Sequence, residues 1–167
     1  MFGWAGQAGI RLSGEAMLKE NFLPNEAATR AAGRRLGLRL AEAHRSGVLP
    51  SSFLITLSGE IGAGKTTFCQ GLGLGLEAEE PIVSPTFTLA NEYRGLRDIF
   101  HLDLYRLESP REFAEAGLED YLTRPGLTVV EWPEKMPRDF WPPDRLALSL
   151  VFQGEGRFLR ALKNGCF

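Results

Sequence analysis

The stretch that most constrains this chain is Gly59-Glu60-Ile61-Gly62-Ala63-Gly64-Lys65-Thr66-Thr67, which fits G-x-x-x-x-G-K-[ST]. That pattern is a phosphate cradle, and its flanks carry as much information as the loop. Phe53-Leu54-Ile55-Thr56-Leu57-Ser58 precedes it, a short apolar, partly β-branched run that reads as a buried strand. After it, Phe68, Leu72 and Leu76 recur at the spacing of one helix face. Strand, glycine loop and helix together are what triphosphate binding requires. Backbone N–H groups and the positive helix end face the phosphates, and glycines admit the close approach. In such a loop Lys65 reaches the β- and γ-phosphates and the Thr66 hydroxyl ligates magnesium. A chance glycine turn before an ordinary helix accounts for neither the Lys-Thr pair nor the flanks.

At 167 residues the chain reads as one domain, long enough to bury about 70% of its unfolded surface. Charge is nearly balanced, 19 basic against 21 acidic residues, net −2. A protein that grips nucleic acid by itself more often shows a basic patch and a high pI, so any RNA is expected to be held by a partner. The two cysteines, Cys69 and Cys166, form neither a disulfide framework nor a zinc spacing, and Cys69 reads as a small core residue. The two histidines, His44 and His101, suggest no ligand cluster. No apolar run approaches the roughly 20 residues of a membrane span. Met1–Ala16 lacks a basic segment followed by an apolar one, so no secretory signal is read and the expected location is the cytoplasm.

Taken in order, residues 1–21 are glycine-rich and weakly patterned. They read as an N-terminal extension that is a candidate for disorder, with Met17 as an alternative start; residues 22–167 read as the domain. A helix is expected over about Asn25–Arg45, with Asn25 as N-cap, Glu26 in the first turn and Gly47 at its end. Ala32, Leu36, Leu40 and Ala43 form its apolar stripe, and Arg35, Arg39 and Glu42 a solvated face. The helix after the loop contains Gly71, Gly73 and Gly75, each costing about 1 kcal/mol against alanine. Either burial of Phe68, Leu72 and Leu76 offsets this, or the helix ends early.

Three further stretches bear on chemistry. Ile82–Leu89 carries Ser84, Thr86 and Thr88 around Pro85, and reads equally as a γ-phosphate-sensing segment or as a strand with exposed hydroxyls. Asp98–Leu107 is strand-like with Asp103 near its end, and Leu127–Val130 is a β-branched run ending in Glu131 and Trp132. A carboxylate on a strand tip beside a phosphate loop can hold magnesium or orient water. One alone is more often a surface strand end; two in one chain shift the balance toward a site. Ser109-Pro110-Arg111-Glu112 opens a helix that breaks near Gly117, and Leu146–Phe152 with Phe158–Leu162 reads as a terminal hairpin. The alternation makes the chain α/β with a mixed sheet.

Four motifs taken together resemble one family. They are the phosphate loop (59–67), Ser-Pro-Thr-Phe-Thr-Leu (84–89), His-Leu-Asp-Leu-Tyr-Arg-Leu (101–107) and Glu-Trp-Pro-Glu (131–134). Their order and spacing resemble the bacterial tRNA threonylcarbamoyladenosine biosynthesis ATPase, the TsaE (YjeE) family, over about residues 24–157. The resemblance implies a P-loop NTPase three-layer sandwich with a mixed, mostly parallel sheet and a C-terminal antiparallel hairpin. It implies magnesium-dependent ATP hydrolysis supporting modification of the adenosine beside the anticodon, performed with a heterodimer that contains the transferase; the chain is expected to touch tRNA only indirectly and to be a monomer when alone. It implies that Lys65 binds phosphate, that Thr66 and Glu131 hold magnesium, and that Asp103 acts beside them on metal and water. Ser84, Thr86 and Thr88 would form a switch-like segment, with Thr86 in the catalytic set. Trp132 would govern contact or turnover, and Glu26 and Arg157 would lie near the base. Glu60-Ile61 stands where family members usually carry Asp-Leu, with little effect expected on a backbone loop. Arg106 is the one candidate arginine finger, a structural ion pair being as good a reading of it, so slow hydrolysis stimulated by partners is expected. Other functions fit less well. A small-molecule kinase needs an arginine-bearing lid, and the segment after Ser109 offers only Arg111 and Arg124; a GTPase needs Asn-Lys-x-Asp, which is absent. A binding module without turnover would not need two such carboxylates.

Overall fold

The computed structural model describes residues 22–142 and 145–162; the N-terminal extension, Met17 and Cys166 lie outside them. The buried run before the loop forms β2 (Ser52–Ser58), the strand on which the rest is assembled. It is flanked in parallel by β5 (Gly126–Glu131) and β6 (Arg145–Gln153), and β5 in turn by β4 (Ile99–Asp103). The rims are antiparallel: β3 (Ala90–Tyr93) on β4, β7 (Gly156–Ala161) on β6, and β1 (Phe22–Leu23) on β7. Among the described residues the order is β1-β7-β6-β2-β5-β4-β3. The fold is thus α/β with a mixed sheet whose four central strands are parallel. Register sets the site: Glu131 pairs with Leu57 on one side and with Asp103 on the other, so both carboxylates stand at the sheet edge where the loop leaves β2.

Alternation along the strands sends side chains to two cores. Phe53, Ile55, Leu57, Leu127, Val129 and Ile99 face one side, where α1 (Glu26–Arg45) and α2 (Lys65–Gly75) cover them. Leu54, Val130, Phe100 and Leu102 face the other, against Phe113 of α3 (Pro110–Glu115), Leu122 of α4 (Asp120–Thr123) and Met136. The result is three layers. No helix among the described residues is long and apolar enough to cross a membrane.

The helix after the loop runs its full length despite three glycines. A Cβ on Gly71 would overlap the carbonyl oxygen of Arg30, and one on Gly75 that of Arg34; Gly33 and Gly37 of α1 stand likewise against Phe68 and Leu72. These glycines let two helix backbones touch, and the burial that follows offsets their propensity cost.

Two expectations are corrected. Residues 81–89 are not a strand, which begins only at Ala90; Pro81 and Pro85 cannot donate to a ladder, Leu89 has φ +64°, and Thr88 and Leu89 instead donate to the Pro85 carbonyl. The helix after Ser109 breaks where expected: it is two short helices, split at Gly117 in positive φ. The apolar face of α1 closes on Ala41 and on two glycines, while Ala43 is only half-buried. Strand β1 was not read from the sequence, because two residues show no period.

Candidate functional site

The loop leaves β2 and turns into α2 through Gly64, whose φ of +95° no β-carbon residue adopts cheaply. Lys65 therefore opens the helix and points back over the loop. Its Nζ lies 2.7 Å from the Gly59 carbonyl oxygen and 2.9 Å from that of Glu60, and 4.0 Å from the centre of the Trp132 ring. Burial lowers the Lys65 pKa below the ordinary lysine value, while the charges of Glu131, Asp103 and Glu134 pull it back up.

Glu131 lies beneath, 2% exposed. Its Oε1 accepts from Thr66 Oγ1 at 3.0 Å and lies 2.8 Å from His101 Nε2; Cys69 Sγ approaches at 3.7 Å. Oε2 has the longer Thr66 contact, 3.3 Å. Burial, followed by the charge and hydrogen bond of Glu131, holds the Cys69 thiol well above its usual pKa. Cys69 is thus the inert core residue expected, yet it touches the site. The histidine reading is refined: His101 is fully buried, and one of its ring nitrogens, the Cys69 sulfur and a Glu131 oxygen lie within 4.8 Å of one another.

Asp103 stands on the adjacent strand tip. Its Oδ2 accepts from Thr86 Oγ1 at 2.6 Å, its Oδ1 from the Tyr105 N–H at 3.0 Å, and Ser84 Oγ lies 2.6 Å from Thr86 Oγ1. Thr88 turns away instead, donating to Asn91 Oδ1 at 2.9 Å. Trp132 follows Glu131 at φ 58°, ψ 51°, left-handed backbone that is costly for a bulky residue, and its ring packs 5.1 Å from Tyr105. Together these groups surround a cleft of about 340 Å³ lined by Ile61, Gly62, Gly64, Lys65, Thr66, Thr67, Thr86, Asp103, Tyr105, Glu131 and Trp132.

Five site candidates do not line it: Gly59, Glu60 and Ala63 of the loop, and Glu26 and Arg157. Arg157 Nε donates to the Ala63 carbonyl at 3.0 Å and so braces the loop from outside, and Glu26 is exposed in the first turn of α1, paired with Arg30 at 2.7 Å. The guanidinium of Arg106 stacks on Phe87 at 4.5 Å. Tyr105, His101 and Cys69 were missed as site residues. A signal existed for one of them: His101 is two residues before Asp103, so strand alternation puts both on one face.

A glycine loop between a buried parallel strand and a helix, with two carboxylates on the neighbouring strand tips, defines the class of P-loop nucleotide-binding α/β proteins. Within that class, the sequence model of the family "Threonylcarbamoyl adenosine biosynthesis protein TsaE" matches residues 23–159, and the chain belongs to this family. The tRNA threonylcarbamoyladenosine biosynthesis protein TsaE of Nostoc sp. strain PCC 7120 is 46% identical over 126 residues, 72% of this chain and 73% of that protein. The protein of the same name from Treponema pallidum is 37% identical over 65% of this chain and 80% of its own length. The crystal structure of Bacillus subtilis YdiB matches with a TM-score of 0.61 at 28% identity, covering 84% of this chain and 82% of that one.

Proposed function

We propose that this chain binds ATP with magnesium in the cleft and hydrolyses it in support of threonylcarbamoyl modification of the adenosine next to the anticodon in tRNA. One observation carries the reading. The sheet register brings Glu131 and Asp103 beside the one loop whose lysine and threonine suit a triphosphate. The donors around that point, the Thr66 and Thr86 hydroxyls and the two carboxylates, are hard oxygen groups, the set that magnesium prefers. When bound, magnesium supplies neutralisation of charge spread over the phosphate oxygens.

The chain's own groups then divide the work. Loop N–H groups and Lys65 hold the phosphates, Lys65 exchanging the carbonyls of Gly59 and Glu60 for phosphate oxygens. Thr66 and Glu131 would hold the metal, and Asp103, kept in place by Thr86 and the Tyr105 N–H, would orient the attacking water. Trp132 shields the site from solvent above Lys65, while Glu26 and the loop-bracing Arg157 would meet the base as the family resemblance implies. No arginine lines the cleft among the described residues, so hydrolysis is slow in the isolated chain and accelerates with the heterodimeric transferase partners. The near-neutral charge leaves tRNA to those partners, in the cytoplasm. The test is phosphate release from ATP, with and without the heterodimer, by the wild type and by Glu131→Ala. The wild type should turn over, faster with partners, and the variant should not. Full activity of the variant would remove Glu131 from the mechanism, and equal rates with and without partners would remove the stimulation.

A further inference from the structure

Glu131 is held from behind, and the residue that holds it most closely has no part in the scheme above. His101 is completely buried on β4, two residues before Asp103, and its Nε2 lies 2.8 Å from Glu131 Oε1. The other imidazole nitrogen, Nδ1, is buried without a hydrogen-bond partner. A partnerless Nδ1 suits the acceptor nitrogen of an imidazole whose hydrogen sits on Nε2, since a buried N–H without a partner costs more than a buried lone pair. Nε2 is then the donor. Thr66 Oγ1 and Cys69 Sγ converge on the same Oε1, which leaves Oε2 with only the 3.3 Å Thr66 contact. The carboxylate is thus pinned at one oxygen, and its other oxygen is available to the cleft that Glu131 lines.

We infer that His101 is a positioning residue for Glu131: its Nε2–H fixes the rotation of the carboxylate so that one oxygen is presented to the nucleotide-bound metal. The inference rests on the function proposed above. Outer-shell donors of this kind are worth 10- to 100-fold when removed, because the ligand keeps its identity and loses its orientation.

The test compares His101→Gln with His101→Asn. A glutamine amide reaches about as far as Nε2 and can still donate to Glu131; an asparagine amide reaches only as far as Nδ1 and falls short. Each variant is measured for kcat and KM in phosphate release with the partner heterodimer, and separately for the gain in ADP affinity on adding magnesium, by calorimetry. Positioning predicts that His101→Asn loses about 10- to 100-fold in kcat with KM for ATP within about threefold, and that its magnesium-dependent gain shrinks. His101→Gln should stay within about threefold of wild type in both. Equal behaviour of the two variants, whether both intact or both impaired, overturns the inference. If the asparagine variant does not melt cooperatively, His101→Leu, which fills the volume without a donor, takes its place with the same expected outcome. Glu131→Gln run in parallel separates the two claims. Hydrolysis that survives Glu131→Gln defeats the role of Glu131 itself, whereas loss there beside an intact His101→Asn defeats only the role of His101. The magnesium effect on ADP affinity reads out positioning even if turnover proves undetectable.

Discussion

The two walls of the cleft are built by different means. On one, Lys65, Thr66 and Glu131 stand on the ends of a helix and a strand backed by the fully buried Phe68, Leu72 and Val130, and each makes several contacts of its own. On the other, Thr86 hangs from the irregular segment 81–89, next to Phe87, which is 83% exposed. That segment is tied at its base, where the Tyr93 hydroxyl bonds both the N–H and the carbonyl of Val83, and at its middle through Thr86 to Asp103. The contrast teaches a division of labour. A wall made of packed backbone can hold phosphate in one geometry, whereas a wall made of side-chain hydrogen bonds can follow a ligand that changes.

Substitutions can break this contrast, and the largest effect is expected on the packed wall. Lys65→Ala should weaken nucleotide binding by about 2–5 kcal/mol, the usual cost of removing one partner of a buried charge contact, with melting little changed. Calorimetric titration measures it. Gly71→Val should remove about 3 kcal/mol of stability, read by denaturant unfolding, because the new side chain must displace the Arg30 carbonyl of a packed helix. Thr86→Val should slow phosphate release by roughly tenfold, the worth of one hydrogen bond to a carboxylate, and leave the melting temperature almost unmoved. A loss as large as that of Lys65→Ala would show the second wall to be as firmly built as the first. Smallest of all, Phe87→Ser should change unfolding free energy by no more than about 1 kcal/mol, since so exposed a ring buries little beyond its surface stacking on Arg106. If that substitution instead reduced stimulation by the partner heterodimer, the loose wall would also be where partners act.

Much of the first wall was legible in advance. The spacing of Gly59, Gly64 and Lys65 names a loop whose geometry is local, and Asn25 and Gly117 mark helix ends by their own chemistry, whereas Ser109 opens its helix without a side-chain cap bond. The second wall was harder to read. Ile82–Leu89 has the apolar content of a strand, and Pro81 just before it, Pro85 within it and the positive φ at Leu89 keep it from being one. Taken one at a time in the sequence, His101 and Cys69 carry no site signal, because their partner is a carboxylate 30 and 62 positions further along. The glycines of α2 were weighed by propensity, a property of one helix, although their reason lies on α1.

By itself, then, the sequence determined what is local in the chain: the phosphate loop with its Lys65 and Thr66, the strands and helices that flank it, and the presence of carboxylates at strand ends. Only the tertiary structure decided that Asp103 and Glu131 meet at that loop, that His101 and Cys69 stand behind Glu131, and that two glycine-lined helices touch backbone to backbone. The physical reason is that periodicity fixes which face a residue occupies. Which strand or helix stands beside that face is fixed by long-range packing and register, and no window of the sequence contains both partners.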